Sequence, residues 1–210
     1  MIKDLNLATL IVDKLRKIID NPVSELEFSN EFELLIAVML SAQCTDKRVN
    51  MVTKELFARY NNPYDIANMD LSELEDIIKS CNYYHNKAKN IIETCKMLVE
   101  RFDGQVPNDH SDLLSLKGVG NKTANVIEAV AFKKQAFAVD THIYRVSKRL
   151  GLSKAKNPTL CEKDLVKFFK DFDFGEVHHL LLLFGRYFCT AKNPKCDNCE
   201  MKDICKEIER

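Results

Sequence analysis

Apolar positions along the chain recur every three or four residues, the period of an α-helix. Val52, Leu56 and Phe57 keep this spacing, as do Leu71, Leu74, Ile77 and Ile78, and then Ile91, Ile92, Cys95, Leu98 and Val99. Val126 and Val130 continue it, with Phe137 beyond a short break. Phe32, Leu34, Leu35, Ile36, Val38, Met39 and Leu40 are apolar nearly all round, which predicts a central buried helix. Asp70-Leu71-Ser72-Glu73 offers a helix cap at Asp70 or Ser72, and Asp103-Gly104 stops a helix before Pro107. No run alternates polar and apolar residues for long enough to predict a strand. The expected fold class is all-α.

Composition sharpens this reading. The 210 residues include only 6 glycines and 5 prolines, about half their usual share, so the elements are few and long. Such a length suits one large domain or two small lobes sharing a core. With 46% hydrophobic residues there is enough apolar surface to bury, which excludes a disordered chain. The longest strongly apolar runs, Leu34 to Leu40 and Leu180 to Phe184, fall far short of the roughly 20 residues that cross a bilayer. Met1-Ile2-Lys3-Asp4 lacks the apolar stretch of a signal peptide. The expectation is a cytoplasmic protein without a membrane partner.

Lys plus Arg and Asp plus Glu both total 31, for a formal net charge of zero. That balance conceals a basic segment. From Lys117 to Arg149 there are seven basic residues (Lys117, Lys122, Lys133, Lys134, Arg145, Lys148, Arg149) against Glu128 and Asp140, a local +5. The local segment sets the field that a polyanion meets.

After Phe188 the chain turns polar and cysteine-rich and cannot bury a core of its own. Cys189, Cys196, Cys199 and Cys205 follow the spacing C-x6-C-x2-C-x5-C. Disulfides do not suit a chain without an export signal. Four thiolates could hold structural zinc, but zinc knuckles usually present two close-spaced pairs. One close pair flanked by single cysteines on a short loop favours an iron–sulfur cubane. Cys44, Cys81, Cys95 and Cys161 are scattered and read as small buried apolar residues.

Leu116-Lys117-Gly118-Val119-Gly120-Asn121-Lys122-Thr123-Ala124 carries the second signal. A helix from about Ser111 should stop at Gly118 and another begin near Asn121, giving a helix–hairpin–helix over about 111–130. Two glycines one residue apart let the backbone turn tightly and approach a ligand closely. The next helix presents free N–H groups to an anion such as phosphate. A module of this kind grips a DNA backbone without reading bases. Lys122 falls in the first turn of the second helix, where the dipole should favour the neutral, nucleophilic amine; a plain phosphate-reaching lysine is the simpler role. Eighteen residues on, Val139-Asp140-Thr141-His142 places Asp140 where it caps the next helix and can also act as a catalytic carboxylate.

Taken together, these stretches resemble endonuclease III, a DNA glycosylase with AP-lyase activity in the helix–hairpin–helix superfamily. The resemblance rests on Phe32 to Gln43, the hairpin with Lys122, Val139-Asp140-Thr141-His142, Gly185-Arg186-Tyr187 and the four-cysteine spacing. It implies two α-helical lobes: a six-helix barrel over 23–134, and 1–22 with 135–210 carrying a [4Fe-4S] cluster on the 189–205 loop. It also implies duplex DNA, with an oxidised base or an abasic site, lying across a cleft faced by Lys122 and Asp140. The enzyme would remove oxidised pyrimidines and cut the strand by β-elimination through a lysine Schiff base, working as a monomer associated with the nucleoid. Gln43 would fill the gap left by the flipped nucleotide, and Tyr83 or Tyr84 would wedge the opposite strand. Gly118, Gly120, His142, Lys192 and Lys195 would contact the DNA. The cluster would serve as a structural clip.

This sequence departs from the family pattern at Lys117, where proline is usual, at Asn82, where glycine is common, and at Tyr83, where an aliphatic wedge is common. Two alternatives stand beside the main reading. An adenine-mismatch glycosylase of the same superfamily lacks the hairpin lysine and carries an extra C-terminal domain, whereas this chain ends five residues after Cys205. A non-enzymatic iron–sulfur DNA-binding protein would use the hairpin only for grip. His178 and His179 should be packed or hydrogen-bonded, and His85 and His110 should lie at the surface.

Overall fold

The structure, a computed structural model, describes residues 2–205. Eleven α-helices and no strand occur among the described residues. The chain divides into two compact units: residues 24–132, and residues 1–23 with 133–210.

The unit 24–132 holds α2 (Glu31–Ser41), α3 (Asp46–Arg59), α4 (Pro63–Ala67), α5 (Leu71–Ile78), α6 (Tyr84–Phe102), α7 (His110–Ser115) and α8 (Asn121–Val130). Helix α2 is its centre. Leu34, Leu35, Ile36, Ala37 and Leu40 are fully buried, as the all-round apolar pattern requires. Around them pack Leu56, Leu74, Ile78, Ile91, Cys95 and Leu98, residues that set the 3–4 spacing, together with Ile66. Side-chain caps start the helices: Asn30 accepts from Glu33 N–H, Thr45 from Arg48 N–H and Asn62 from Asp65 N–H. Asp70 is the N-cap of α5 but makes no side-chain cap bond. Asp103 ends α6 in the left-handed region, and Gly104 N–H returns to Leu98 O, closing the helix six residues back.

The second unit holds α1 (Ile2–Ile18), α9 (Thr141–Arg149), α10 (Pro158–Phe168) and α11 (Phe174–Tyr187). Its core joins Ile11, Val12 and Leu15 of α1 to Ile143, Val146, Leu165, Leu180, Leu181 and Phe184. Phe137 is fully buried there, but in a non-helical segment that leads into α9, so the helical spacing does not extend to it. Gly185 sets how closely α9 and α11 approach. A Cβ on it would sit 3.0 Å from both His142 Cβ and Val146 Cγ2.

No helix among the described residues is long and apolar enough to cross a membrane.

Candidate active site and metal centre

The hairpin is built by a helix that ends early. Helix α7 stops at Ser115, Leu116 turns to extended backbone, and Val119 N–H closes on Leu116 O at 3.3 Å. The helix predicted to stop at Gly118 thus ends three residues earlier, where Leu116 leaves helical backbone and is buried, as is Val119. Gly118 has φ +75°, and a Cβ there would lie 3.0 Å from Asn90 Cβ. Gly118 is therefore required by the fold. Gly120 differs: its φ is −99°, and a Cβ would meet nothing within 4 Å. That open space lies at the N-terminus of α8, where N–H groups lack helical partners.

Lys122 is the second residue of α8 and is exposed. Its amine makes no hydrogen bond or ion pair with the described residues, so it is open to a reactant. Thr94 Oγ1, buried on α6, donates to Lys117 O at 2.6 Å and pins the turn from below. His110 corrects its surface reading. It is half-buried, with Nδ1 2.6 Å from Glu128 Oε2 and Nε2 3.1 Å from Asn121 Oδ1, so one ring ties α7 to α8. Glu128, a carboxylate on the buried face of α8 four residues after Ala124, is the signal that could have pointed to this pair.

In the same unit Gln43 follows α2 with φ +54° and is exposed. Tyr83 precedes α6 with φ +58° and is 63% exposed. Tyr84 instead packs on the core. Asn82 Nδ2 donates to Gln43 O at 2.6 Å. Lys87 is buried, and its ammonium donates to Leu40 O and Ala42 O, both at 2.7 Å. Burial pulls its pKa below the ordinary lysine value. A lysine on the apolar stripe of α6, one turn before Ile91, is the signal that could have singled it out. Cys81 and Cys95 are buried as expected, while Cys44 is half-buried next to Cys81.

In the second unit Asp140 is the N-cap of α9. His142 N–H and Ile143 N–H both donate to its Oδ1 at 2.8 Å. Oδ2 takes no bond from the described residues, so the carboxylate is anchored through one oxygen and open at the other. His142 is half-buried. Arg145 Nη2 donates to its Nδ1 at 3.3 Å, which places the imidazole proton on Nε2. Arg145 also donates to Gly185 O at 2.7 Å and Cys189 O at 3.0 Å. His179 is buried, with Nδ1 2.7 Å from Gly175 O, and His178 is buried beside it.

The polar tail is ordered from both ends. Met201 is fully buried in the core, and Lys14 of α1 bonds Glu200 O at 2.6 Å and Asp203 at 2.9 Å. Cys189, Cys196, Cys199 and Cys205 line one cavity of about 100 Å³, floored by Leu150, Phe184, Phe188 and Met201. Arg149 closes it, donating to Cys189 Sγ at 3.3 Å and Thr190 O at 2.8 Å. Among the described residues no three ligating side chains converge as a single ion would require; the thiols surround a space instead. Burial pushes the Cys199 thiol up, and the other three cysteines push it further, so four thiolates here call for a positive counter-charge. Donor set and cavity fit an iron–sulfur cluster. Lys192 and Lys195 are exposed on the 189–196 loop, and the Lys195 ammonium lies 4.9 Å from the Phe188 ring centroid.

A backbone-gripping hairpin, an open lysine at its second helix and a four-thiolate loop define a helical DNA-repair module. Residues 36–171 match the model of the HhH-GPD superfamily base excision DNA repair proteins, and residues 189–205 match the iron-sulfur binding domain of endonuclease III. The chain belongs to the endonuclease III family within that superfamily. It is 48% identical to endonuclease III of Bacillus subtilis, over 95% of this chain and 91% of that one. With endonuclease III of Escherichia coli it shares 42%, over 95% of each. The solved structure of a trapped endonuclease III–DNA covalent intermediate superposes with a TM-score of 0.91 at 44% identity, covering 100% of this chain and 98% of that one. A non-covalent endonuclease III–DNA complex superposes equally well, at 43% identity. The cofactor is a [4Fe-4S] cluster and the ligand is DNA.

Proposed function

We propose that this chain excises an oxidised pyrimidine from duplex DNA and then breaks the strand 3′ to the abasic sugar, with Lys122 as the nucleophile. The observation that carries this reading is the exposed, unpartnered Lys122 amine at the start of α8, directly after the Gly118–Gly120 turn. A solved endonuclease III trapped as a covalent intermediate with DNA supports a covalent step.

The target nucleotide must leave the stack before any side chain reaches its sugar. Unprotonated Lys122 then attacks C1′; the C1′–N bond breaks and its electron pair leaves with the base, which takes up a proton. Ring opening gives a protonated Schiff base between Nζ and C1′. The iminium acidifies C2′–H, and loss of that proton expels the 3′ phosphate by β-elimination. Water hydrolyses the imine and frees the lysine. Asp140 carries the charge balance: with Oδ1 held by two backbone N–H groups, its Oδ2 stabilises the positive charge developing on the sugar and accepts a proton.

Gln43 fills the gap of the flipped nucleotide, and Tyr83, the exposed member of the tyrosine pair, wedges the opposite strand. Backbone N–H groups at Gly118 and Gly120, the His142 Nε2–H and the amines of Lys192 and Lys195 hold phosphates. Cys189, Cys196, Cys199 and Cys205 hold the cluster, which clips the loop carrying those two lysines. The enzyme acts as a monomer on nucleoid DNA.

Borohydride trapping on a duplex with one abasic site tests the reading. Wild type gives a covalent protein–DNA band, Lys122→Gln gives none, and Asp140→Asn gives a band that forms more slowly. A band that persists without Lys122 assigns the wrong amine. No band from cluster-loaded, DNA-bound wild type removes the lyase step.

A further inference from the structure

The loops after α2 and before α6 end in the same unusual way. Gln43 and Tyr83 both lie in the left-handed region, at φ +54° and +58°, although neither is glycine. That conformation is unfavourable for a residue with a Cβ and persists only where surrounding bonds over-determine it. Tyr83 stands at the N-cap of α6 with no side-chain cap bond. Helix α2 ends at Ser41 with no basic residue in its last turn; Ser41 Oγ donates to Val38 O and Cys44 N–H to Ser41 O, while the Leu40 and Ala42 carbonyls are met from outside the helix.

The partners come from the other loop. Asn82, immediately before Tyr83, donates Nδ2–H to Gln43 O at 2.6 Å. Lys87, in the first turn of α6, donates to Leu40 O and Ala42 O at 2.7 Å each. A buried ammonium at a helix C-terminus complements the negative end of the dipole, while its two carbonyl bonds offset the cost of burial. Backbone hydrogen bonding joins the two features, since Lys87 N–H bonds Tyr83 O at 3.1 Å. The carbonyls of Leu40, Ala42 and Gln43 are thus held by side chains that flank Tyr83.

We infer that Asn82 and Lys87 are positioning residues that lock the Gln43 and Tyr83 loops into one pre-set pair, ready to occupy both sides of the gap opened by nucleotide flipping. This rests on the gap-filling roles proposed above. Preorganisation matters here because a displacement of about 1 Å in a group that must enter the stack costs rate rather than fold. An abasic site in single-stranded DNA leaves no paired gap to fill, so the device should matter for duplex substrate alone.

The test uses full-length, cluster-loaded enzyme in single-turnover strand cleavage on an abasic site in duplex and in single-stranded DNA. Asn82→Asp keeps the shape and removes the donor. It should slow duplex cleavage about tenfold, as Asn82→Ala does, and leave single-strand cleavage within about twofold. In a Gln43→Ala background the Asn82 bond to the carbonyl of residue 43 remains but no longer positions a gap-filling side chain, so Asn82→Ala should add little there. Lys87→Met should show the same selective loss, partly restored by Lys87→Arg. Equal losses on both substrates, an unimpaired Asn82 variant, or an Asn82 effect that survives in Gln43→Ala would each overturn the inference. If Gln43→Ala itself leaves duplex cleavage unchanged, the gap-filling role falls and this inference falls with it. If Gln43→Ala is slow while Asn82→Asp is not, only the positioning claim falls.

Discussion

His110 Nδ1 lies 2.6 Å from Glu128 Oε2, so the first residue of α7 is bonded to the eighth residue of α8 across the hairpin. The same ring reaches Asn121 at the start of α8, so both nitrogens are committed to holding the two helices at one separation.

Removing the ring by His110→Ala should therefore lower stability by about 1–2 kcal/mol, since a nearly buried carboxylate loses a close hydrogen bond. In a chain of this size that is a fall in Tm of about 3–6 °C. Thermal melts of His110→Ala and Glu128→Gln would check it. Equal Tm values for wild type and both variants would mean that the hairpin is held by packing alone.

The two hairpin glycines should respond in opposite ways. Gly118→Ala forces a Cβ at φ +75° against Asn90 and should destabilise the fold by about 1–2 kcal/mol. Gly120→Ala meets open space and ordinary backbone, so Tm should hold while duplex affinity falls about tenfold, because the added methyl stands where a phosphate approaches. Melting curves read beside duplex titrations at one fixed salt concentration separate the two. Undiminished affinity in Gly120→Ala would place the phosphate elsewhere.

The eight cysteines should sort by substitution. Cys199→Ser should lose most of its iron and leave residues 189–205 more open to protease, because Arg149 holds the start of the tail and Met201 with Lys14 its end, while a cluster would tie the loop between them. Cys161→Ser, fully buried in the α1, α9, α10 and α11 core, should keep its iron and lose only stability. Iron analysis and limited proteolysis of both proteins check this; iron retained in Cys199→Ser would remove that residue from the ligand set.

His179 gives a pH dependence. Burial holds its pKa below the ordinary histidine value of about 6.5, against the opposing bond to Gly175 O, with Lys133 and Arg186 lowering it further and Asp173 raising it. The unfolded chain therefore binds this proton more readily than the folded one. Stability attached to His179 is complete above the unfolded value and is lost as pH falls below about 6.5. Melts of wild type and His179→Asn between pH 8 and pH 5 should diverge on that account, wild type falling more steeply. Parallel curves would show that His179 titrates alike in both states.

Much of this protein was legible in its residue pattern. The 3–4 spacing placed α3, α5, α6 and α8, because burial of a continuous apolar stripe is a local, periodic demand. The all-round apolar run of α2 identified the centre of one core. Gly-x-Gly before Lys122, Asp140 as a cap and four spaced cysteines marked the candidate site, since each motif is read within one short segment. Helix ends were less legible: α7 stopped at Ser115, where Leu116 leaves helical backbone and is buried, as is Val119, a choice made by neighbours and not by Gly118.

Only the tertiary structure decided which of these residues act as pairs. His110 with Glu128, Asn82 with the Gln43 carbonyl, Lys87 with the end of α2, and Arg149 with Cys189 are separated by 18 to 47 positions in the chain. Propensity and periodicity carry no information at such distances. A lysine among apolar residues reads as an exception until packing shows it capping another helix, and an asparagine in place of a glycine reads as a lost turn until its amide is seen holding the next loop. Local pattern specified the helices and the reactive groups. The bonds that hold those groups in place arose only when remote segments were packed against one another, because a hydrogen bond between them exists only at the distance that packing sets.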